Sequence, residues 1–363
     1  MADARAALTR ARRVVVKVGS STLSTDRGVF ERLAHAIAGR PSTSFVVVSS
    51  GAIALGVRKL GYRARPKEMA RLQAAAAAGQ SLLMRAYEEA FEAHRVRVAQ
   101  VLLTHADLSD RTRANNARAA LGALLEARAV PILNENDSVA VEEIKFGDND
   151  QLAAMVAPLV EADLVILLSD VTGLLDDAGA RIKQVHDVAT EALPYVRASR
   201  GGVGTGGMAS KLEAARRATL AGANVVVADA RAPNIVDDVL SGKDVGTLFV
   251  GASRPMSARK YWIAFTLRPR GDVVVDWGAA ETARRKGKSV LSVGVIGVRG
   301  DFRAGDSVRI VDPEGNEIAR GLARCAAADA AAVAGKARKD LSHEREDFWV
   351  LVHADEMVVG RQH

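Results

Sequence analysis

The sequence predicts an α/β fold: a three-layer α/β/α sandwich with a mainly parallel sheet, followed by a small C-terminal β-barrel-like domain. Up to about residue 251, short apolar runs alternate with longer helical stretches, which is typical of a parallel sheet covered by helices on both faces. After Pro255 the pattern changes to short β-rich pieces between glycine-containing turns. The length of 363 residues also favours two domains over a single core.

Six apolar runs rich in Val, Ile and Leu are the predicted strands of the sheet. They show little alternation of apolar and polar residues, as expected for strands buried on both faces. Helices are predicted between them, for example Glu68–His94 and Arg113–Ala127, and ligand loops are expected at the carboxyl ends of the strands. The predicted strands are Val14–Val18, Phe45–Ser49, Val98–Leu103, Val130–Leu133, Leu164–Leu168 and Asn224–Ala228.

The change of pattern after Pro255 also sets the expected domain boundaries. We place the first domain at residues 1–258, a linker at 259–270 and the second domain at 271–356. The β-rich pieces of the second domain are Gly271–Asp276, Val290–Gly300 and Val308–Val311.

The amino-acid composition excludes some kinds of site and favours others. Cys325 is the only cysteine, so an intramolecular disulfide and a cysteine-built metal site are excluded, and the scattered histidines predict no metal ligands. No signal-peptide core and no long apolar run is present, which favours a cytoplasmic location. The net charge of +7 fits an anionic substrate, a nucleotide or RNA, although arginines spread over solvated helix faces explain it more simply.

Two acid–amide clusters are the strongest functional signal. Asn134–Asp137 follows a predicted strand, and Gly147–Asp150 opens a predicted helix. Each cluster alone could be a helix N-cap or a polar turn, because Asp and Asn are preferred in both. Two clusters close together, with lysines and a glycine loop elsewhere, predict a site that holds an amino acid and organises phosphate-binding lysines.

Three further segments lie where predicted strands end. Lys17–Ser21 can present an ammonium group and main-chain N–H groups to phosphate, and Ser49–Ala52 can let a ligand approach the backbone closely. Ser169–Gly173 follows the fifth strand and could line a nucleotide pocket. Taken singly, these segments could also be a solvated lysine, a helix N-cap and a simple turn.

A glycine-rich loop, Gly201–Gly207, precedes a predicted helix. Five glycines in seven residues carry a large entropic cost, and phosphate binds well where such a loop meets a helix N-terminus. The loop is not a Walker A motif, because Lys211 follows Gly207 by four positions. It matches the dinucleotide fingerprint literally, but no predicted strand precedes it.

Together these segments resemble the amino acid kinase family, and among its members those that phosphorylate the side-chain carboxylate of glutamate. The resemblance covers nearly the whole chain: it runs from Lys17–Ser21 through Ser49–Ala54, both acid–amide clusters and Gly204–Lys211 to Gly246–Phe249. The C-terminal part is similar to a PUA domain.

The resemblance implies ATP-dependent phosphorylation of the L-glutamate side-chain carboxylate to L-glutamyl 5-phosphate, the first step of proline biosynthesis, with Mg²⁺. It also implies feedback inhibition by proline, a homo-oligomer (dimer or tetramer), and transfer of the product to glutamyl phosphate reductase. Carried over by motif, the catalytic residues would be Lys17, Lys211 and Asp150, with Asp150 orienting the lysines. Ser50, Asp137 and Asn149 would bind glutamate. The ATP site would comprise Lys17, Ser169, Asp170, Thr205, Gly206, Gly207, Met208, Ala209, Ser210 and Lys211.

The sequence also allows alternative functions. Acetylglutamate kinase, aspartokinase and uridylate kinase are alternatives within the family, and the paired clusters with the appended β-rich domain favour a glutamate kinase over them. A dinucleotide oxidoreductase would need a strand before the glycine loop and a catalytic set that the sequence lacks. An RNA-binding protein would use the C-terminal domain, although few aromatic residues are available for base stacking. The basic residues that could serve such binding are Arg284, Arg285, Lys286 and Lys288.

Overall fold

The computed structural model describes residues 4–26, 28–140, 149–198 and 207–360. The chain divides into two compact units, Met1–Pro255 and Met256–His363, each with its own hydrophobic core. The first unit is the predicted three-layer α/β/α sandwich, and the second is built on a curled, mainly antiparallel sheet. The predicted fold class is therefore confirmed.

The first unit is organised by an eight-stranded sheet in the order β3-β4-β2-β1-β5-β7-β8-β6. All neighbouring pairs are parallel except β7 with β8. The six predicted strands are present, each within two residues of its predicted bounds. The strands are β1 Arg13–Val18, β2 Ser44–Ser49, β3 Arg97–Leu103, β4 Ala129–Glu135, β5 Leu164–Ser169, β6 Gln184–Val185, β7 Asn224–Asp229 and β8 Thr247–Phe249.

Helices cover both faces of this sheet. Alternate residues of β1 point into opposite cores: Val14, Val16 and Val18 into one, and Val15 into the other. Helices α2, α4 and α11 pack in the first core, and α6, α7 and α10 in the second. The helices are α1 Ser20–Thr25, α2 Gly28–Ala38, α3 Ala52–Lys59, α4 Met69–Glu92, α5 His105–Ser109, α6 Arg111–Glu126, α7 Asn149–Leu159, α8 Val188–Glu191, α9 Leu193–Ala198, α10 Gly207–Leu220 and α11 Ile235–Leu240.

The second unit contains a six-stranded sheet in the order β10-β14-β13-β12-β9-β11. Only the β9–β12 pair is parallel among the pairs that the structure describes. Its elements are α12 Ala258–Tyr261, β9 Gly271–Val275, α13 Trp277–Lys286, β10 Val290–Leu291, β11 Val295–Gly300, β12 Ser307–Val311, β13 Glu317–Ala323, α14 Ala327–Val333 and β14 Val350–Val359.

Residues 259–270, which we predict to be the linker, contain helical structure. Helix α12 is followed by a π-helical turn, Trp262–Thr266, and Tyr261 and Ile263 are buried. Burial of these side chains stabilises the helical structure of the segment. The position of the segment between two domains did not predict this.

No helix within the described ranges is both long enough and apolar enough to span a membrane.

The close approach of α3 and α4 is made possible by glycine. A Cβ built on Gly79 of α4 would lie 1.8 Å from the carbonyl oxygen of Ala52, and one on Gly56 of α3 would lie 1.7 Å from that of Ala75. Real Cβ atoms do not come so close to backbone, so the two helices can pack at this distance only with glycine at both positions.

We expect Gly79→Ala to destabilise the first unit by roughly 1–3 kcal/mol, because the added methyl group overpacks against backbone that cannot move aside. Urea unfolding followed by circular dichroism measures the change. Gly122→Ala is the matched control: Gly122 lies in α6, and a Cβ added there would meet nothing within 4 Å. That control should gain about 0.5–1 kcal/mol from helix propensity, and equal losses in both variants would contradict the prediction.

Candidate active site

The carboxyl ends of β1, β2 and β5 meet at one edge of the sheet. The register pairs Val18 at the end of β1 with Ser49 of β2 on one side and Leu168 of β5 on the other. Because parallel strands all end at the same edge, side chains that follow them in sequence come together. The segments predicted from motifs after these strands therefore lie at one place.

A buried carboxylate joins two lysines at this edge. Asp150 Oδ1 lies 2.6 Å from Lys17 Nζ, and Asp150 Oδ2 lies 3.2 Å from Lys211 Nζ. All three residues are more than nine-tenths buried. The Lys211 ammonium also donates to the Gly207 carbonyl oxygen, at 3.2 Å. The three residues predicted to be catalytic are thus in direct contact.

The packing of α7 against α10 brings Asp150 and Lys211 together. Asp150 lies in the first turn of α7, and Lys211 lies one turn into α10. Gln151 Nε2 donates to the Ser210 carbonyl oxygen across the same helix pair, at 3.2 Å. Lys17 reaches the carboxylate from the neighbouring strand β1, so three elements far apart in sequence meet at one side chain.

The charge balance of this cluster suits an anionic ligand. Two ammonium groups share one carboxylate, which leaves one positive charge in a poorly solvated position. Removing both ammonium groups from water is costly, and the shared carboxylate offsets much of that cost. The remaining positive charge, together with the main-chain N–H groups at the start of the 14-residue helix α10, favours binding of phosphate.

A neutral amide cluster lies beside the charged one. Asn149 Nδ2 is within donor distance of three oxygens: the Ser49 carbonyl at 3.1 Å, Ser50 Oγ at 2.9 Å and Asn134 Oδ1 at 2.9 Å. Asn134 Nδ2 in turn donates to Gln80 Oε1 of α4, at 3.0 Å. The ends of β2 and β4, the start of α7 and the middle of α4 are therefore joined by side-chain hydrogen bonds.

A buried hydrogen bond also connects the end of β2 to helix α4. Tyr87 of α4 donates its hydroxyl to Ser49 Oγ at 2.9 Å, and both residues are fully buried. Burial raises the pKa of Tyr87 well above its usual value, with the Ser49 contact opposing that rise, so the hydroxyl stays protonated and remains a donor.

Asp137 is the acidic residue of the site with an unusual pKa. It lies in the turn after β4, half-buried, and burial raises its carboxyl pKa to about 6 while the charge of Arg65 opposes the shift. The side chain is therefore mainly ionised near neutral pH. Asp137 lies three residues beyond Asn134 in the sequence.

The residues predicted to bind nucleotide fall in two groups. Ser169 ends β5 and donates to Asp170 Oδ1 at 3.1 Å, and the exposed Arg231 donates to the Asp170 carbonyl oxygen at 3.0 Å. Gly207, Met208, Ala209 and Ser210 form the first turn of α10 with Lys211. Thr205 and Gly206 lie outside the described residues, as do Gly147 and Asp148 of the second acid–amide cluster.

Two contributors to the site, and the position of a third, were not predicted from the sequence. Gln80 and Tyr87 lie two turns apart on α4, within an alanine-rich helix that periodicity assigns only to packing. Asn134 belongs to a recognised cluster, but its position between two other amides depends on the fold. A polar residue every second turn on the buried face of α4 is the one pattern that could have indicated them.

The sequence of the chain is similar to known families and proteins. The chain matches the amino acid kinase family over residues 12–229 and the PUA domain over residues 271–344. The glutamate 5-kinase of Myxococcus xanthus is 47% identical over 98% of this chain and 98% of its own length. The glutamate 5-kinases of Moorella thermoacetica and Paraburkholderia phymatum are 43% and 42% identical over 98% of this chain, and over 98% and 100% of their own lengths. The similarity extends across both structural units.

We expect Asp150→Asn to lower the free energy of unfolding by about 3–5 kcal/mol, because two buried ammonium groups lose their shared counter-charge. Chemical denaturation measures the change. Asp26→Asn is the matched control, since Asp26 pairs with Arg32 at 2.5 Å where both side chains are about a third exposed. That pair should contribute no more than about 1 kcal/mol. A loss at Asp150 no larger than at Asp26 would show that the shared carboxylate does not stabilise the lysines.

Proposed function

The chain belongs to the glutamate 5-kinases of the amino acid kinase family, and we propose that it transfers the γ-phosphoryl group of ATP to the side-chain carboxylate of L-glutamate. The observation that carries the proposal is the contact of Asp150 with both Lys17 and Lys211 at the carboxyl edge of the sheet. The products are L-glutamyl 5-phosphate and ADP, and the reaction is the first step of proline biosynthesis.

The reaction requires charge neutralisation more than proton transfer. A carboxylate oxygen of glutamate attacks the γ-phosphorus, a new O–P bond forms, and the bond from the γ-phosphorus to the β,γ-bridging oxygen breaks. The side-chain carboxyl of glutamate has a pKa of about 4.3 and is already ionised near neutral pH, so no general base is needed. Because nucleophile and phosphate are both anionic, catalysis depends on in-line positioning and on positive charge.

Lys17 and Lys211 are the groups that would provide the positive charge. Asp150 holds the two ammonium groups on either side of one carboxylate, so their separation is set before ATP binds. Fixed charges in a water-poor site stabilise developing negative charge without reorganising during the reaction. Asp150 thereby acts as a positioning residue for the two lysines.

The amide cluster and Asp137 are the proposed glutamate site. Asn149 Nδ2 is fully engaged with Ser49, Ser50 and Asn134, which leaves the buried Asn149 Oδ1 without a protein partner among the described residues. A buried acceptor without a partner is costly, and an ammonium group would satisfy it. Asp137 would add a counter-charge for the same ammonium, and Ser50 Oγ a further polar contact.

ATP is the co-substrate of the family, and its proposed site is formed by Lys17, Ser169, Asp170 and the first turn of α10. Residues Thr205–Lys211 would cover the phosphates. In the described part of the chain, no group of three His, Cys, Asp or Glu side chains is arranged to hold a metal ion. Mg²⁺ commonly binds through substrate phosphates with few protein ligands, so we propose that it enters as MgATP.

We extend the proposal to the properties that the family resemblance implies. These are a cytoplasmic location, feedback inhibition by proline, a homo-oligomer and transfer of the product to glutamyl phosphate reductase. The alternative of an RNA-binding protein acting through the second unit is not favoured, because the glutamate 5-kinase relatives match both units over nearly their whole length.

The test of the function is ADP release from MgATP with purified protein, in the presence of hydroxylamine to trap an acyl phosphate. L-glutamate should support ADP release together with γ-glutamyl hydroxamate, whereas L-aspartate, N-acetyl-L-glutamate and UMP should not. Turnover only with one of those three acceptors would keep the family and overturn the substrate.

We expect Lys211→Ala to lower kcat by roughly 10²-fold or more, as for other losses of a transition-state charge contact. Initial rates at saturating glutamate and MgATP measure it. Lys59→Ala is the control, because Lys59 donates to the Ala78 carbonyl oxygen and Ser81 Oγ on the exposed side of α3. An unchanged kcat in Lys211→Ala would remove this lysine from the mechanism.

The raised pKa of Asp137 predicts a pH-dependent KM for glutamate. The carboxylate is ionised above its pKa of about 6 and loses its charge as the pH falls through that value. KM for glutamate should therefore rise about tenfold between pH ~8 and pH ~5, following the ionised fraction of one carboxyl group. Asp137→Asn should have a high KM that no longer changes over this range. The same pH profile in both proteins would exclude Asp137 as the group that titrates.

A further inference from the structure

Three carboxamides form a buried chain across the proposed glutamate site. Asn149 Nδ2 donates to Asn134 Oδ1, and Asn134 Nδ2 donates to Gln80 Oε1. The chain connects the first turn of α7 to the middle of α4 through the end of β4. Every link runs in the same direction, with an NH₂ group donating to the oxygen of the next amide.

One main-chain carbonyl fixes the orientation of Asn149. The Ser49 carbonyl oxygen, 3.1 Å from Asn149, can only accept, so the NH₂ group of Asn149 must face it. The same NH₂ group faces Asn134, whose oxygen must therefore point toward Asn149 and whose NH₂ group must point toward Gln80. Reversing any single amide would place two NH₂ groups or two oxygens against each other.

Both ends of this amide chain lack a hydrogen-bond partner within the described part of the structure. Asn149 Oδ1 and Gln80 Nε2 are each buried without a hydrogen-bond partner among the described residues. An unpaired buried polar group is costly, and an apolar side chain at position 80 would avoid that cost for Nε2 but would leave the Asn134 NH₂ group without its acceptor. Packing alone therefore does not explain a glutamine at this position of α4.

Gly79, next to Gln80 in the sequence, packs closely against a neighbouring helix. Gly79 lies against the backbone of α3, where a Cβ would be 1.8 Å from the Ala52 carbonyl oxygen. This contact holds α4 closely against α3, at the position next to the Gln80 side chain that meets Asn134.

We propose that Gln80 is a positioning residue for glutamate binding: by accepting from Asn134, it holds the amide chain in the direction that leaves Asn149 Oδ1 free for the substrate ammonium. Without an acceptor at position 80, the Asn134 NH₂ group loses its partner, so Asn134 can turn away and withdraw its oxygen from Asn149, which then loses one of the three acceptors that orient it. The inference rests on the proposed function, because it assigns Asn149 to the glutamate site.

The test compares Gln80→Leu with Gln80→Glu in the full-length protein. Gln80→Leu removes the acceptor and should raise KM for glutamate about tenfold, the effect of leaving one buried donor unpaired. Gln80→Glu keeps an oxygen facing Asn134 and should raise it less. KM for MgATP should change less than about twofold in both, since the phosphate cluster is built from other residues. Gln100→Leu, at an exposed glutamine of β3, is the control for the substitution itself.

A double-mutant cycle tests the route through Asn134. If Gln80 acts through Asn134, then Gln80→Leu should have little further effect on KM for glutamate in an Asn134→Leu background. Thermal unfolding of every variant identifies those that fail to fold, and Gln80→Met, which has a similar length and no strong acceptor, replaces Gln80→Leu if necessary.

The possible results distinguish failure of the Gln80 proposal from failure of the proposed kinase activity. An active wild-type protein whose KM for glutamate is unchanged by Gln80→Leu overturns the inference alone. Equal rises in KM for glutamate and MgATP would indicate a general structural role, and a defect in Gln80→Glu as large as in Gln80→Leu would indicate that the NH₂ group, which both variants lack, is the group that matters; either result overturns it. A wild-type protein without glutamate-dependent turnover overturns both proposals.

Discussion

The shared ion pair of Asp150 with Lys17 and Lys211 is the interaction on which the rest of the site depends. Two buried ammonium groups close together would repel each other and lose hydration, and one carboxylate between them compensates for both effects. Because the three residues come from β1, α7 and α10, the pair also ties the sheet to the two helices that cover one face. The arrangement retains one positive charge for an anionic ligand.

Charged and neutral polar groups are separated within the site. The lysines and Asp150 lie toward β1, β5 and α10, where phosphate would bind, while the amides of Asn149, Asn134 and Gln80 lie toward β2, β4 and α4. Neutral amides can orient an amino acid without adding a third charge to a buried cluster, where another unpaired charge would be costly. Asn149 and Asp150 are adjacent in sequence, so the first turn of α7 joins the two parts.

Helix α4 supports the amino-acid side of the site from within the core. Gly79 and Gly56 allow α3 and α4 to pack with their backbones in contact, and Tyr87 and Gln80 then reach the ends of β2 and β4. The cost of glycine in a helix interior is offset by the close packing that it permits. The polar groups at the strand ends therefore depend on a close backbone contact made by the same helix.

The sequence by itself determined the strands, the long helices, the fold class and the motifs that contain Lys17, Asp150 and Lys211, because apolar periodicity and strand-end motifs are local properties of the chain. It did not reveal the order in the segment after Pro255, where buried Tyr261 and Ile263 give structure to residues expected to be a linker. Only the tertiary structure decided which carboxylate the two lysines share. It alone also placed Gln80 against Asn134, at the end of the amide chain. Those contacts join residues 54 or more positions apart, and they follow from how helices pack on the sheet.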